Sequence, residues 1–203
     1  MQPDPSTSLV LASSSRYRKE LLSRLGIPFS SESPSIDEST RQGETPRATA
    51  LRLACEKAEA VSSHFPGAII IGSDQVAECE GMPIGKPGTF DRAMDQLRQM
   101  RGKQVLFHTA LCVLDGRHGN TLQKAVVTTK VVFRDLPDEE LADYLMIEKP
   151  FDCAGSAKNE SLGIALLEKI ESDDPTALTG LPLIALTSML RKCGLRFFSG
   201  AAA

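Results

Sequence analysis

Residues 69–76 place a carboxylate directly after a predicted strand. The segment reads Ile-Ile-Ile-Gly-Ser-Asp-Gln-Val. Its three consecutive β-branched residues predict a short strand buried on both faces, and Asp74 follows the end of that strand. Ligands bind beyond the carboxyl ends of strands in open α/β sheets. Asp74 is therefore a candidate catalytic residue, although an aspartate here also starts turns or caps a backbone amide.

A basic, serine-rich segment at residues 13–19 is a candidate anion site. It follows a short apolar run and precedes a helix pattern that ends at Gly26. Free amides and the dipole at a helix N-terminus attract phosphate. Arg16, Arg18 and Lys19 add positive charge, and arginine binds phosphate through two hydrogen bonds. The structural alternative is a serine cap followed by solvated basic residues. Cations at a helix start oppose the dipole, so we favour phosphate binding.

Three further positions carry charge that such a site would use. Asp37-Glu38 lies in a polar loop, where paired carboxylates either bind a divalent cation or remain solvated. Lys57 borders the apolar stripe of a helix that starts at Thr45-Pro46. Its ammonium reaches either solvent or a cleft, and the sequence favours solvent. Lys86 lies on a stiff turn between a glycine and a proline, where a lysine is usually ordinary surface.

Composition limits the class of protein. A chain of 203 residues suits one domain or two closely packed lobes. The formal net charge of −3 argues against a nucleic-acid partner bound through a broad basic surface. Any anionic ligand must therefore be held by local basic residues.

The location predicted from the sequence is the cytoplasm. The tail at residues 1–8 is polar and lacks a basic segment, and the apolar run at 9–12 is too short for a signal peptide or membrane span. The five cysteines contain no Cys-x-x-Cys pair, which fits a reducing compartment.

Hydrophobic periodicity places the candidate residues on alternating strands and helices. We predict strands at 9–12, 69–71 and 164–170, and an antiparallel hairpin of 103–114 with 122–133. Helices are predicted after the basic segment up to Gly26, from Thr45-Pro46, from about 90 to 100, from Pro137 to just before Pro150, and after Pro182 to near Gly194. The second half of the chain would then form a lobe that faces the first half across a cleft.

These segments, in this order, resemble the Maf family of nucleoside triphosphate pyrophosphatases. The resemblance spans residues 9–191. Its motifs are Leu11-Ala12-Ser13-Ser14-Ser15-Arg16-Tyr17-Arg18, Ile36-Asp37-Glu38, Glu56-Lys57-Ala58, Gly72-Ser73-Asp74-Gln75-Val76, Gly85-Lys86-Pro87, Cys153-Ala154-Gly155-Ser156, and Asp174-Pro175 through Gly180-Leu181-Pro182-Leu183.

The resemblance implies a fold and a reaction. The fold would be α/β, a mixed twisted sheet with flanking helices and two lobes around a deep cleft, within a single domain over residues 1–203. The reaction would be hydrolysis of a nucleoside triphosphate to the monophosphate and diphosphate, with Mg²⁺ or Mn²⁺, in a homodimer. Transferred by motif, the catalytic residue is Asp74, the phosphate-binding residues are Ser13, Arg18, Lys57 and Lys86, and the metal ligands are Glu38 and Asp74.

The segment around Tyr17 is similar to the 7-methyl-GTP pyrophosphatase subfamily, which carries an aromatic residue there. An aromatic face attracts the cationic methylated base, by about 0.5–2 kcal/mol. Gln75 and Glu160 also fit that subfamily, and Glu160 would accept hydrogen bonds from guanine. Arg16 replaces the usual proline, and Lys19 replaces a common arginine, which affects affinity more than reaction type.

Two alternatives remain open. Members that hydrolyse dTTP and UTP carry an arginine at the position of Tyr17. A non-catalytic, nucleotide-binding regulator of septum formation is a different class of function. The presence of Asp74, Lys57 and Lys86 argues against it, because a pure binder does not need an acid beside phosphates.

Overall fold

The computed structural model describes residues 8–198, which form a mixed sheet covered by helices. The strands lie in the order β2-β1-β3-β5-β6-β7, and β4 pairs with β3. Their bounds are β1 Leu9–Ala12, β2 Ser30–Glu32, β3 Ile69–Cys79, β4 Met82–Ile84, β5 Gln104–Asp115, β6 Thr121–Phe133 and β7 Leu167–Glu171. The helices are α1 Arg16–Ser23, α2 Pro46–Ser62, α3 Phe90–Met100, α4 Asp138–Glu148 and α5 Leu183–Lys192.

The sheet is parallel at one end and antiparallel at the other. Strand β1 pairs in parallel with β2 and β3, and α1 and α2 make the crossovers between them. Strand β5 pairs antiparallel with β3 and β6, and β6 pairs antiparallel with β7. The predicted mixed α/β sheet and the β5–β6 hairpin are therefore confirmed.

Separate groups of buried side chains account for the two lobes. At the parallel end, one face of the sheet packs against α2 and the other against α1 and α5. At the antiparallel end, the core is formed with α3 and α4. The prediction that the second half of the chain forms one lobe is wrong, because α3 packs in the antiparallel lobe and α5 in the parallel one. Strand β3 belongs to both lobes, since residues 69–71 lie in the first cores and Ala77 and Cys79 in the second. The residues between them lie where the lobes meet.

The prediction that the central strand ends before Asp74 is wrong. Strand β3 continues to Cys79 because β5 pairs along its whole length, from Ile69 opposite Asp115 to Cys79 opposite Val105. The parallel neighbour β1 does end early, with Ala12 opposite Gly72. Asp74 therefore lies in the middle of its own strand but beyond the carboxyl end of β1.

Gly72 allows α2 to approach the sheet closely. A Cβ atom at this position would lie 2.0 Å from the carbonyl oxygen of Ala54 and 2.9 Å from the backbone nitrogen of Ala58. No side chain fits at such distances, so the glycine is required for this packing. Lys57 lies between Ala54 and Ala58 on α2, and its Nζ reaches Asp74 on the strand below.

Smaller differences concern element ends. Helix α1 ends at Ser23, before the predicted stop at Gly26, and strand β2 was not predicted. The predicted strand at 164–170 begins only at Leu167, because residues 162–166 form 3₁₀ turns. Of the predicted tail, residues 1–7 lie outside the described residues. No helix between residues 8 and 198 is long and apolar enough to cross a membrane.

Candidate active site

A cleft of about 760 Å³ lies between the two lobes, beside the middle of β3. The side chains to which the resemblance assigns a role line this cleft: Ser13, Tyr17, Arg18, Glu38, Lys57, Asp74, Gln75, Lys86 and Glu160. Side chains that are far apart in the sequence therefore meet in one place. Lys19 and Asp37, which the sequence also offered as charged candidates, are not among its lining residues, and Asp37 instead accepts hydrogen bonds from the backbone N–H and the hydroxyl of Ser39.

Lys57 is the buried centre of the charged group. It lies on the face of α2 that packs on the sheet, with 5% of its surface exposed. Its Nζ lies 2.6 Å from Asp74 Oδ1 and 2.7 Å from Glu38 Oε1. The interpretation that Lys57 reaches solvent is therefore wrong. The close packing at Gly72 buries the ammonium, and the two carboxylates offset the cost of its desolvation.

Arg18 enters the cleft from the first turn of α1. Ser15 caps this helix by accepting a hydrogen bond from the backbone N–H of Arg18. The guanidinium donates from Nε to the carbonyl of Gly180 at 3.0 Å and from Nη1 to Ser13 Oγ at 3.5 Å. These bonds orient the side chain and leave its remaining N–H donors for a ligand.

The charges of three cations act on Glu38. Partial burial acts to raise the pKa of Glu38, but the hydrogen bond from Lys57 and the charges of Lys57, Lys86 and Arg18 outweigh this effect, so the pKa lies below its ordinary value. Burial lowers the pKa of Arg18, and the charges of Asp74 and Glu38 oppose that shift. Lys86 is exposed on the segment after β4. The fold thus brings three cations around two acids.

Tyr17 and Glu160 lie on the walls of the cleft. The guanidinium carbon of Arg16 lies 4.8 Å from the centroid of the Tyr17 ring, and its Nη2 donates to the Tyr17 hydroxyl at 3.1 Å. The face of this ring therefore already carries a cation. Glu160 lies in the loop after Cys153, and partial burial raises the pKa of its carboxyl.

The side-chain amide of Gln75 is hydrogen-bonded to the protein itself. Its Nε2 donates to Thr109 Oγ1 at 2.8 Å and to the carbonyls of Ala177 and Leu178 at 3.1 and 3.0 Å. These contacts attach the loop before α5 to the sheet. Direct recognition of a base by Gln75 stays a prediction.

Two residues that support the site had no predicted role. Ser73 is buried, and its Oγ donates to the carbonyls of Ala110 and Gly180 at 2.8 and 3.0 Å. It therefore holds the carbonyl that orients Arg18. Asp174 accepts hydrogen bonds from the backbone N–H groups of Ile184 and Ala185, at 2.7 and 3.2 Å, and so caps α5. Asp174 lies nine residues before Leu183, the first residue of α5, so no local cap pattern in the sequence identifies it.

Glu38 and Asp74 fit the way in which proteins bind Mg²⁺ or Mn²⁺ together with a polyphosphate. Within the described residues, no three His, Cys, Asp or Glu side chains converge on one point. Mg²⁺ is usually bound by one or two carboxylates and completed by substrate phosphates and water. The carboxylates of Glu38 and Asp74 converge on the Nζ atom of Lys57, so the ammonium group lies at the point where both acids could bind a metal ion.

Comparison with known sequences identifies the family. A family model described as Maf-like protein matches residues 8–193. The chain belongs to the Maf-like family. The predicted resemblance is therefore confirmed, and the match includes every residue of the candidate site.

Two relatives within the Maf-like family align over almost their whole length. A protein of Cupriavidus pinatubonensis is 57% identical over 199 residues, which cover 98% of this chain and 100% of that protein. A protein of Burkholderia thailandensis is 58% identical over 207 residues, which cover 100% of this chain and 96% of that protein. Both relatives are named 7-methyl-GTP pyrophosphatase.

A solved structure supports the fold. The HAM1 protein from Coxiella burnetii superposes with a TM-score of 0.52, over 92% of this chain and 99% of that chain. The sequence identity is 14%, so the likeness concerns the fold alone. The same arrangement of sheet and helices thus occurs outside the close relatives.

Proposed function

We propose that this Maf-like protein hydrolyses 7-methyl-GTP to 7-methyl-GMP and diphosphate. The observation that carries the proposal is the placement of Arg18, Lys57 and Lys86 around Glu38 and Asp74 in one cleft. Water must attack a phosphorus that already carries negative oxygens, so the reaction needs charge neutralisation more than covalent help. The name of the Cupriavidus and Burkholderia relatives supports the choice of nucleotide.

The triphosphate is proposed to bind beside the start of α1. Arg18 offers its free N–H donors to phosphate oxygens, and guanidinium geometry suits two such bonds at once. Lys57, on α2, and Lys86, on the segment after β4, contribute compact charges. The hydroxyl of Ser13, already in contact with Arg18, completes the phosphate-binding set.

Asp74 is proposed as the catalytic residue. Its carboxylate accepts a proton from the water that attacks the α-phosphorus. The bond from the water oxygen to phosphorus forms while the bond to the bridging oxygen breaks, and diphosphate leaves. Glu38 and Asp74 would hold a Mg²⁺ or Mn²⁺ ion, which when bound further neutralises the triphosphate. Lys57 orients the carboxylate of Asp74 through a hydrogen bond of 2.6 Å.

The base is proposed to bind between Tyr17 and the apolar floor of the antiparallel lobe. Phe107, Val131 and Phe133 line this part of the cleft. N7-methylation makes guanine cationic, and the Tyr17 ring attracts a cation, as its contact with Arg16 illustrates. Glu160 would accept hydrogen bonds from N1 and N2 of guanine. Gln75 would act on specificity through the loop that it holds.

Further properties implied by the family remain predictions. These are a single domain over residues 1–203, a homodimer and a cytoplasmic location. Binding of a nucleotide follows from the proposed reaction. The absence of a nucleic-acid or membrane partner stays a prediction from the net charge and the hydropathy of the sequence.

A diphosphate-release assay tests the proposal. The purified chain is incubated with 7-methyl-GTP, GTP, dTTP and UTP in the presence of Mg²⁺ or Mn²⁺. We expect the highest kcat/KM for 7-methyl-GTP. The nearly isosteric variant Asp74→Asn should lower kcat by roughly 10²- to 10⁴-fold. A preference for dTTP or UTP would replace the proposed substrate. A folded protein that binds nucleotides but releases no diphosphate would support the regulator instead.

A further inference from the structure

The loop that carries Glu38 is held on α2 by Arg52. The guanidinium donates from Nε and Nη2 to the two carboxylate oxygens of Glu44, at 2.7 and 2.8 Å. Nη2 also donates to the carbonyl of Ser39 at 3.0 Å, and Nη1 donates to Glu56 Oε2 at 2.9 Å. The side chains of Arg52 and Glu44 are each 13% exposed. Such a shielded, two-bond arginine–carboxylate pair is among the stronger polar contacts in proteins.

Glu38 needs this support because, apart from its ion pair with Lys57, it lies on an exposed part of the chain. It lies between β2 and α2 in a loop without regular secondary structure, and its side chain is 57% exposed. Holding a long side chain on an exposed loop costs conformational entropy. Arg52 binds the carbonyl of Ser39, the next residue, and Glu44, near the end of the same loop. The backbone on the C-terminal side of Glu38 is therefore tied to the helix.

Helix α2 thus positions both residues of the ion pair between Lys57 and Glu38. Lys57 extends from the helix directly, and Glu38 is placed through Arg52, which lies five residues before Lys57. A lysine at position 52 could not make the same contacts, because a single ammonium lacks the planar fork of donors that reaches three acceptors.

We propose that Arg52 is a positioning residue for the divalent-cation site, acting by holding the Glu38 loop against α2. The inference rests on the proposed function, because it takes Glu38 as a ligand of the cation. Outer residues that orient a metal ligand typically change metal affinity or activity by about 10- to 100-fold when they are mutated.

The variant Arg52→Gln tests this role, with Arg47→Gln as the matched control. Arg47 is an exposed arginine in the first turn of the same helix. In the metal-free and nucleotide-free protein, Arg52→Gln should speed hydrogen exchange of the amides at 36–44. Calorimetry on the nucleotide-free protein should show Mn²⁺ affinity weakened by about 10-fold or more. The kcat at saturating Mn²⁺ should stay near the wild-type value. Arg47→Gln should change none of these.

A double-mutant cycle separates positioning from general support of the fold. If Arg52 acts through Glu38, then adding Arg52→Gln to Glu38→Gln should weaken Mn²⁺ binding little further. Additive losses, or a fall in kcat that excess Mn²⁺ does not restore, would overturn the inference and leave the proposed function intact. Unchanged Mn²⁺ binding in Glu38→Gln would overturn the metal assignment and this inference together, whereas the reaction itself is judged by diphosphate release.

Discussion

The Nζ atom of Lys57 lies 2.6 Å from Asp74 Oδ1, and both residues are buried. The same atom contacts Glu38, so the ammonium lies where the two proposed metal ligands converge. In the nucleotide-free protein, Lys57 therefore balances the charge of the carboxylates. A divalent cation bound there would compete with it for the same oxygens.

The variant Lys57→Met tests this competition, because it keeps most of the apolar stem and removes the charge. We expect kcat/KM for 7-methyl-GTP to fall by roughly 100-fold, since a charge that neutralises the transition state is lost. Mn²⁺ should nevertheless bind the nucleotide-free variant more tightly than the wild type, as measured by calorimetry. Lys86→Met should lose activity without a comparable gain in Mn²⁺ affinity. Equal Mn²⁺ affinity in the wild type and Lys57→Met would contradict the competition.

The variant Gly72→Ala tests the close approach of α2. The added Cβ would lie 2.0 Å from the carbonyl oxygen of Ala54, so the helix must shift and move Lys57 away from Asp74. We expect unfolding free energy to fall by about 1–3 kcal/mol, as in other overpacked cores, together with a loss of activity. Gly85→Ala is the control for stability, because a Cβ there meets no atom within 4 Å. If denaturant unfolding gave Gly72→Ala the stability of the wild type, this account of the packing would be wrong.

The pair of Arg52 and Glu44 leads to an expected pH dependence of stability. The hydrogen bond from Arg52 lowers the pKa of Glu44 from its ordinary 4.5 to about 2. The unfolded state therefore binds more protons in this range, so the contribution of Glu44 is complete above about pH 4.5 and is lost as the pH falls toward 2. Urea unfolding should show a gap between the wild type and Glu44→Gln that is largest near neutral pH and narrows in acid. Glu168→Gln, at an exposed position on β7, is the control. Its difference in unfolding free energy from the wild type should not narrow in acid, and the same narrowing there would mean that acid acts on the whole protein and not through Glu44.

The chemical groups of the site could be predicted from the sequence better than their placement. Asp74 was recognisable because it follows an apolar run, and the cations of the α1 segment because they oppose the dipole of their helix. The position of Asp74 in mid-strand depends on pairing with β5, whose opposite residue Ala110 lies far along the chain. A local pattern does not contain that information.

The surroundings of Lys57 and Arg52 illustrate the same limit. A lysine at the edge of an apolar stripe extends its ammonium either into solvent or into a cleft. For Lys57, the close contact of α2 with Gly72 and the carboxylate of Asp74 favour the cleft. Arg52 reads as one half of an ordinary i,i+4 surface pair with Glu56. Its contacts with Glu44 depend on the path of a loop that has no periodic pattern.

Tyr17 gives the sharpest test of substrate choice. Arg16 now stacks on the ring at 4.8 Å and must move aside when a cationic base takes its place. In Tyr17→Leu we expect the ratio of kcat/KM for 7-methyl-GTP over GTP to fall by about 2- to 30-fold, which corresponds to the usual range of cation–π energies. Tyr17→Phe keeps the ring and should keep most of the ratio, whereas Tyr17→Arg should move the preference toward dTTP and UTP. Steady-state kinetics on the four nucleotides measures all three variants. The same substrate ranking in Tyr17→Leu, Tyr17→Arg and the wild type would mean that this ring does not contact the base. If the ring does contact the base, an aliphatic or a cationic side chain in its place must change the relative binding of neutral and cationic bases.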